Sequence, residues 1–96
     1  MVVTPVPELA TLLDQVTVIT VTYNSSHCVP ALAEGLRGVP HVTVVDNASG
    51  DDSCAAVAAQ LPAARLIRMP ENRGYGAANN AGLAEVNTPY ALLLNP

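Results

Sequence analysis

A chain of 96 residues has room for one hydrophobic core and excludes a second, since independent domains run to about 100–150 residues. Half of the residues are hydrophobic and 12% are charged, which excludes the polar, highly charged compositions that stay unfolded. There is no Lys, and four Arg face eight Asp and Glu for a net charge of −4, so a phosphate-backbone footprint is missing and nucleic acid is excluded as the main partner.

The leader, residues 1–15, carries two prolines and a short helical segment marked by Leu9, Leu12 and Leu13. Its first ten residues, MVVTPVPELA, hold no positive charge and do not read as a secretory signal. No apolar run approaches the roughly 18 residues that span a membrane. A soluble, cytoplasmic protein is the expectation. Val16 to Tyr23 alternates Val and Ile with Thr and reads as the first strand. Ser25 or Ser26 then caps a helix whose Val29, Leu32, Ala33 and Leu36 fall on one face, and Gly38 and Pro40 end it. His41 to Asp46 is a second Val-rich strand. The turn Asn47-Ala48-Ser49-Gly50-Asp51 follows, with Ser49 and Asp51 as candidate caps for a second helix on Cys54, Val57, Ala58 and Leu61, stopped by Pro62. Ala64 to Met69 reads as strand three, Pro70 to Gly74 as a loop, Tyr75 to Glu85 as an Ala-rich helix, and Tyr90 to Asn95 as a fourth strand buried on both faces.

Strands alternating with helices over short connections predict an α/β fold: a parallel sheet with right-handed crossovers and helices on both faces. Ligands of such sheets sit beyond the carboxyl ends of the strands. Polar residues cluster at those ends: Thr22, Tyr23 and Asn24 after the first, Asp46, Asn47 and Ser49 after the second, Asn72 and Arg73 after the third, and Asn95 after the fourth. All four clusters are predicted to share one rim, which suits a nucleotide-like ligand.

The single motifs leave choices open. Gly74-x-Gly76 lacks the third glycine of a dinucleotide fingerprint, because position 79 is Asn; the two glycines also suit a tight turn into a helix, and such a helix terminus suits an anion. Asp46 can accept hydrogen bonds from a ligand or cap the following turn. Arg73 can pair with a diphosphate or stay solvated. Asn80, between Ala77 and Ala84, can support the loop or touch the ligand. His27 and His41 have no acidic or cysteine partner at a metal-ligand or triad spacing. Cys28 and Cys54 are expected to be free thiols, and the Asn24 and Asn47 glycosylation triplets, without a signal sequence, read as chance.

The strings VTVITVTYNSS, VTVVDNASGDDS, PENRGYGAANNAG and PYALLLNP, in that order and spacing, resemble the amino-terminal half of the GT-A domain of family 2 glycosyltransferases, especially the rhamnosyltransferase-like branch. The resemblance covers residues 16–96 and implies a Rossmann-like nucleotide-binding half with strand order 3-2-1-4. It implies that Thr22, Tyr23 and Asn24 line the base and ribose pocket, that Asp46 or Asn47 contacts the base, and that Arg73, Asn79 and Asn80 face the nucleotide or its phosphates. Many relatives carry Arg at the position of Asn79, so this chain departs from the family pattern there. Ser49, Asn72, Gly74 and Asn95 complete the implied substrate-binding set.

The resemblance further implies an inverting transferase that uses a divalent metal, Mg or Mn, and a UDP- or dTDP-type sugar donor, acting on a cell-envelope glycan or lipid-linked acceptor at the inner face of the membrane. In that branch the aspartate of a DxD-like motif follows LLLNP. Here Asn95 and Pro96 fill the first two positions, and neither that aspartate nor the later general base is present. The expectation is a truncated, inactive donor-binding portion with no catalytic residue and no metal of its own, prone to self-association through an exposed sheet edge. The alternative is a complete non-catalytic nucleotide-binding or assembly module.

Overall fold

A computed structural model describes residues 7–96; residues 1–6 of the leader lie outside the described residues. The chain runs α1 (Pro7–Leu13), β1 (Val16–Thr22), a 3₁₀ turn (Ser26–Cys28), α2 (Val29–Gly35), β2 (Val42–Asp46), α3 (Ser53–Gln60), β3 (Arg65–Arg68), α4 (Tyr75–Leu83) and β4 (Tyr90–Leu94). The four strands are parallel and lie in the order β3-β2-β1-β4. The central row is Thr20 opposite Val44 on one side and Leu94 on the other.

The strand order fixes where the helices go. The chain steps outward from β1 to β2 to β3, so right-handed crossovers put α2 and α3 on the same face; the return from β3 past β2 and β1 to β4 puts α4 on the opposite one. Side chains alternate across the sheet accordingly. Val18 packs with Leu32 and Leu36, and Val44 with Val29 and Val57, on the α2/α3 face. Ile19, Val21 and Val45 meet Ala78 on the α4 face. Ile19, Val29, Val44 and Val45 are fully buried, each contributing on the order of 1.5–3 kcal/mol.

Close approach of α4 depends on Gly82. A Cβ there would lie 2.8 Å from Ile19 Cγ2 and 3.1 Å from Val45 Cγ2, so the small stripe of α4 includes a glycine as well as alanines.

The structure corrects four expectations. Strand β4 is not buried on both faces: Tyr90 is 63% exposed, Leu92 53% and Leu93 47%, because β4 is an edge strand and no crossover helix lies over it. No serine side chain caps α2; the 3₁₀ turn intervenes, Cys28 holds the cap position and Pro30 occupies the first turn, where its missing N–H costs nothing. In α3 the buried stripe is Ser53 and Val57, and Ala58 is exposed, since the helix starts at Ser53 and turns that face inward. On α4 the sheet-facing residues are Ala78, Asn79 and Gly82, so Asn79 is buried and Asn80 is exposed.

Both cysteines are free, and no helix among the described residues is long and apolar enough to cross a membrane. At the amino ends of the strands, His41 Nε2 lies 2.8 Å from Asp14 Oδ1 and Arg65 pairs with Glu85 at 2.9 Å. The His41 partner lies 27 residues away, too far for any local spacing to reveal it.

Candidate functional site

Two layers make up the carboxyl-end rim. The lower one is a hydrogen-bonded frame around Asp46, the last residue of β2, which is 3% exposed. Its Oδ1 accepts the Thr22 hydroxyl at 2.8 Å and the Ser49 hydroxyl at 2.6 Å, and its Oδ2 accepts the Ser49 N–H at 2.9 Å. Burial pushes this carboxyl up, but the bonds from Ser49, Thr22 and the Cys54 thiol outweigh burial and hold it below its ordinary value. The same burial, with Asp46 alongside, raises the Cys54 thiol. Of the two roles open to Asp46 from sequence, the structure displays the turn cap.

The frame extends to the loop after β1. Ser49 Oγ accepts the Asn24 N–H at 2.9 Å, and Asn24 Oδ1 accepts the Gly50 N–H at 2.8 Å. Asn24 and Ala48 both have positive φ, 48° and 60°, a conformation that Asn tolerates by bonding locally. Further along, Ser53 Oγ accepts the Ser25 N–H at 2.9 Å, and Asp51 accepts the N–H groups of Ser26 and Ser53 and the Ser53 hydroxyl. These bonds, led by the Ser53 hydroxyl, lower the exposed Asp51 carboxyl to about 2. Thr22, Asn24, Asp46 and Ser49 thus spend their polar atoms on each other and on loop backbone.

Above this frame lies a cavity of about 440 Å³, lined by Tyr23, Asn47, Asn72, Gly74, Tyr75 and Asn95 among others. Each of the four strands contributes a wall through the residues just beyond its carboxyl end. With β1 central and the chain stepping to β2 on one side and returning to β4 on the other, the cavity sits at the topological switch point of the sheet. Tyr23 is half exposed. Tyr75 Oη donates to Asn95 Oδ1 at 2.5 Å, tying the start of α4 to the end of β4. Gly74 has φ 94° and caps α4 with no side-chain bond to its first turn, leaving amino-terminal N–H groups at the cavity.

Asn47 is 3% exposed, and its Nδ2 donates to Asn72 Oδ1 at 2.9 Å and to the Gly74 carbonyl at 3.3 Å. Its own Oδ1 is buried without a partner. Arg73 is held on the surface by Glu71, at 2.8 Å from Nε and 2.7 Å from Nη2. Asn79 and Asn80 do not line the cavity; Asn79 turns inward with a buried, unpartnered Oδ1.

Of the residues picked out by sequence, the cavity therefore gathers Tyr23, Asn47, Asn72, Gly74 and Asn95, and the frame beneath it gathers Thr22, Asn24, Asp46 and Ser49. Tyr75 and Ser25 line it too and were missed. The signal for Tyr75 was its place directly after Gly74, at the same rim as the other strand-end residues.

The family model for glycosyl transferase family 2 matches residues 17–96. The chain belongs to this family. Comparison with curated proteins gives no match. The parallel 3-2-1-4 sheet with helices on both faces is the Rossmann-like half expected of a family 2 member, and its switch-point cavity is where such a sheet takes its ligand. The fit of a divalent cation is a separate matter. Among the described residues no three His, Cys, Asp or Glu side chains gather to hold a metal ion, and Asp46 and Asp51 are already engaged by hydroxyl and N–H donors. The described residues do not fit a metal site.

Proposed function

We propose that this family 2 chain is the donor-binding portion of an inverting, metal-dependent glycosyltransferase, and that its rim cavity receives a nucleoside diphosphate sugar of UDP or dTDP type. The observation that carries the reading is the convergence of all four strand ends on one cavity at the switch point.

In this reading the exposed Tyr23 ring offers a face for the base, Asn47 and Asn72 meet its polar edge, and the uncapped start of α4 at Gly74 suits the diphosphate. Arg73 moves from Glu71 to a phosphate; its present ion pair is solvent-exposed and worth only about 0–1 kcal/mol, so the exchange costs little. Thr22, Asn24, Asp46 and Ser49 fix the loops from below, and Asn95 with Tyr75 closes the β4 side. Asn79 and Asn80 act through the helix rather than on the ligand.

The sugar passes to a hydroxyl of a glycan or lipid-linked acceptor of the cell envelope, in the cytoplasm or at the inner face of the membrane. The cation that offsets diphosphate charge and the base that activates the acceptor are not supplied by the residues described here, so these residues bind and orient and do not carry out the transfer. The exposed β4 edge supports self-association, because an unpaired strand with apolar side chains templates another chain.

Calorimetric titration of the chain with UDP and dTDP tests the reading. Saturable heat with either is the expected result, and Mn²⁺ alone is expected to give none. Absence of heat with every nucleotide would overturn the proposal.

A further inference from the structure

A second cavity, about 500 Å³ in volume, opens at the end of the sheet opposite the rim, where the strands begin. Its floor follows from the alternation of β1 and β2: Thr17 and Thr43 project on the same face as Ile19 and Val45, and they are 6% and 5% exposed. The Thr43 hydroxyl has no hydrogen-bond partner among the described residues, yet it is not closed off from solvent. A polar group this deep stays unpartnered only where the space before it admits water or a ligand. Thr17 differs. The Thr88 hydroxyl donates its one proton to the Tyr90 carbonyl at 2.8 Å, so the 2.7 Å bond between Thr17 and Thr88 is donated by Thr17. With that proton spent, the Thr17 oxygen can only accept from a ligand.

The charged groups of the wall share this bias toward a donor. Arg65, the β3 neighbour of Thr43, meets the Glu85 carboxylate at 2.9 Å, and His41 Nε2 meets the Asp14 carboxylate at 2.8 Å. Two carboxylates therefore face one permanent cation around the cavity, an excess of negative charge when His41 is neutral. Helix α4 starts at the rim and ends at Leu83, next to Glu85, so its negative carbonyl end adds to that excess. Both ion pairs are solvent-exposed, and opening either costs little.

We propose that this cavity is a second ligand site, separate from the rim, that takes a small protonated amine bearing hydroxyl groups. The ammonium pairs with Glu85. The ligand hydroxyls meet Thr43, which can donate or accept, and Thr17, which accepts. An anion fits poorly, because it finds one guanidinium already paired and meets two carboxylates.

The test adds three probes to the ¹⁵N-labelled chain at fixed pH and ionic strength, with no nucleotide present, so that its outcome does not depend on the rim. Glucamine is a hydroxylated primary amine, sorbitol carries a hydroxyl in place of the amine, and butylamine carries the amine without hydroxyls. Glucamine is expected to give saturable amide shifts at Thr17, Thr43, Glu85 and Thr88 while Tyr23 and Gly74 stay fixed. It is expected to bind about tenfold more tightly than sorbitol, which lacks the charge-assisted bond, and about threefold more tightly than butylamine. Thr43→Val keeps the branched shape and removes the hydroxyl; it is expected to weaken glucamine about three- to tenfold and to leave butylamine unchanged. Glu85→Gln is expected to weaken both amines. No saturable shift with glucamine, shifts confined to the rim, or sorbitol binding as tightly as glucamine overturns the proposal. Glucamine affinity unchanged in Thr43→Val overturns the role given to Thr43, and affinity unchanged in Glu85→Gln overturns the role given to Glu85.

Discussion

Strand β1 has one well-covered neighbour and one bare one, and the difference between them organises the molecule. On the β2 side, Val44 and Val45 are fully buried between α2/α3 and α4, and the loops beyond the strands are joined through Asp46, Ser49 and Asn24. On the β4 side the backbone pairs over a similar length, yet Leu92 and Leu93 face solvent. Strand pairing alone does not bury side chains; the crossover helices do, and none of them lies over β4. The frame beneath the cavity is thus cross-linked by hydrogen bonds on the side built by β1 and β2, while the β4 wall is held at the rim by the Tyr75–Asn95 bond.

The sharpest way to break this comparison is a pair of truncations in one row of the sheet. Ile19 and Leu93 are register partners, one fully buried and the other half exposed. Ile19→Ala is expected to cost about 2–5 kcal/mol, whereas Leu93→Ala stays within about 0.5–1 kcal/mol, as read by urea denaturation. Comparable losses would mean that β4 is covered in solution.

Gly82→Ala probes the packing of α4 on the same side. The added Cβ meets Ile19 and Val45 at 2.8 and 3.1 Å, and overpacking of this kind costs about 1–3 kcal/mol; in an open helix position the same change would stabilise by helix propensity. A raised melting temperature would show that α4 sits farther from the sheet.

Much of this architecture was legible in the chain. Val-rich runs with Thr alternation marked β1 and β2, and prolines and glycines marked the connections, because these signals are local. The polar residues at strand ends located the rim for the same reason. What escaped was non-local. The exposure of β4 depends on which helices pass over it, and a run such as Ala91 to Leu94 reads alike whether or not a helix covers it. The inward turn of Asn79 in place of Asn80 follows from the rotation of α4, which the spacing of small residues constrained only loosely. Gly82 gave no cue until its distance to Ile19 was visible, and the engagement of Asp46 by Thr22 joins residues 24 apart.

The Asp46 frame supplies a pH test. Asp46 lies below its ordinary 3.8 and Asp51 is lowered to about 2. A carboxyl whose folded value is depressed contributes stability that is complete above its unfolded value and is lost as pH falls through the folded one. The melting temperature is therefore expected to be insensitive to these groups above about pH 5 and to decline between about pH 4 and 2. At pH 7 Asp46→Ala removes hydrogen bonds to a buried charged group, worth about 1.5–3 kcal/mol, and this difference from the unmodified chain is expected to shrink at pH 3. A pH-independent difference would contradict the frame's ionised state. Smallest of all, Glu85→Gln breaks the exposed pair with Arg65 and is expected to shift stability by no more than about 1 kcal/mol.

The measurement closest to the central claim is a map of amide shifts in the ¹⁵N-labelled chain as UDP is added. The account predicts that Tyr23, Asn47, Gly74, Tyr75 and Asn95 move together, one group from each strand end, while Asp14, His41 and Glu85 at the opposite end of the sheet stay fixed. Saturable shifts confined to that opposite end, or no shifts at all, would contradict it.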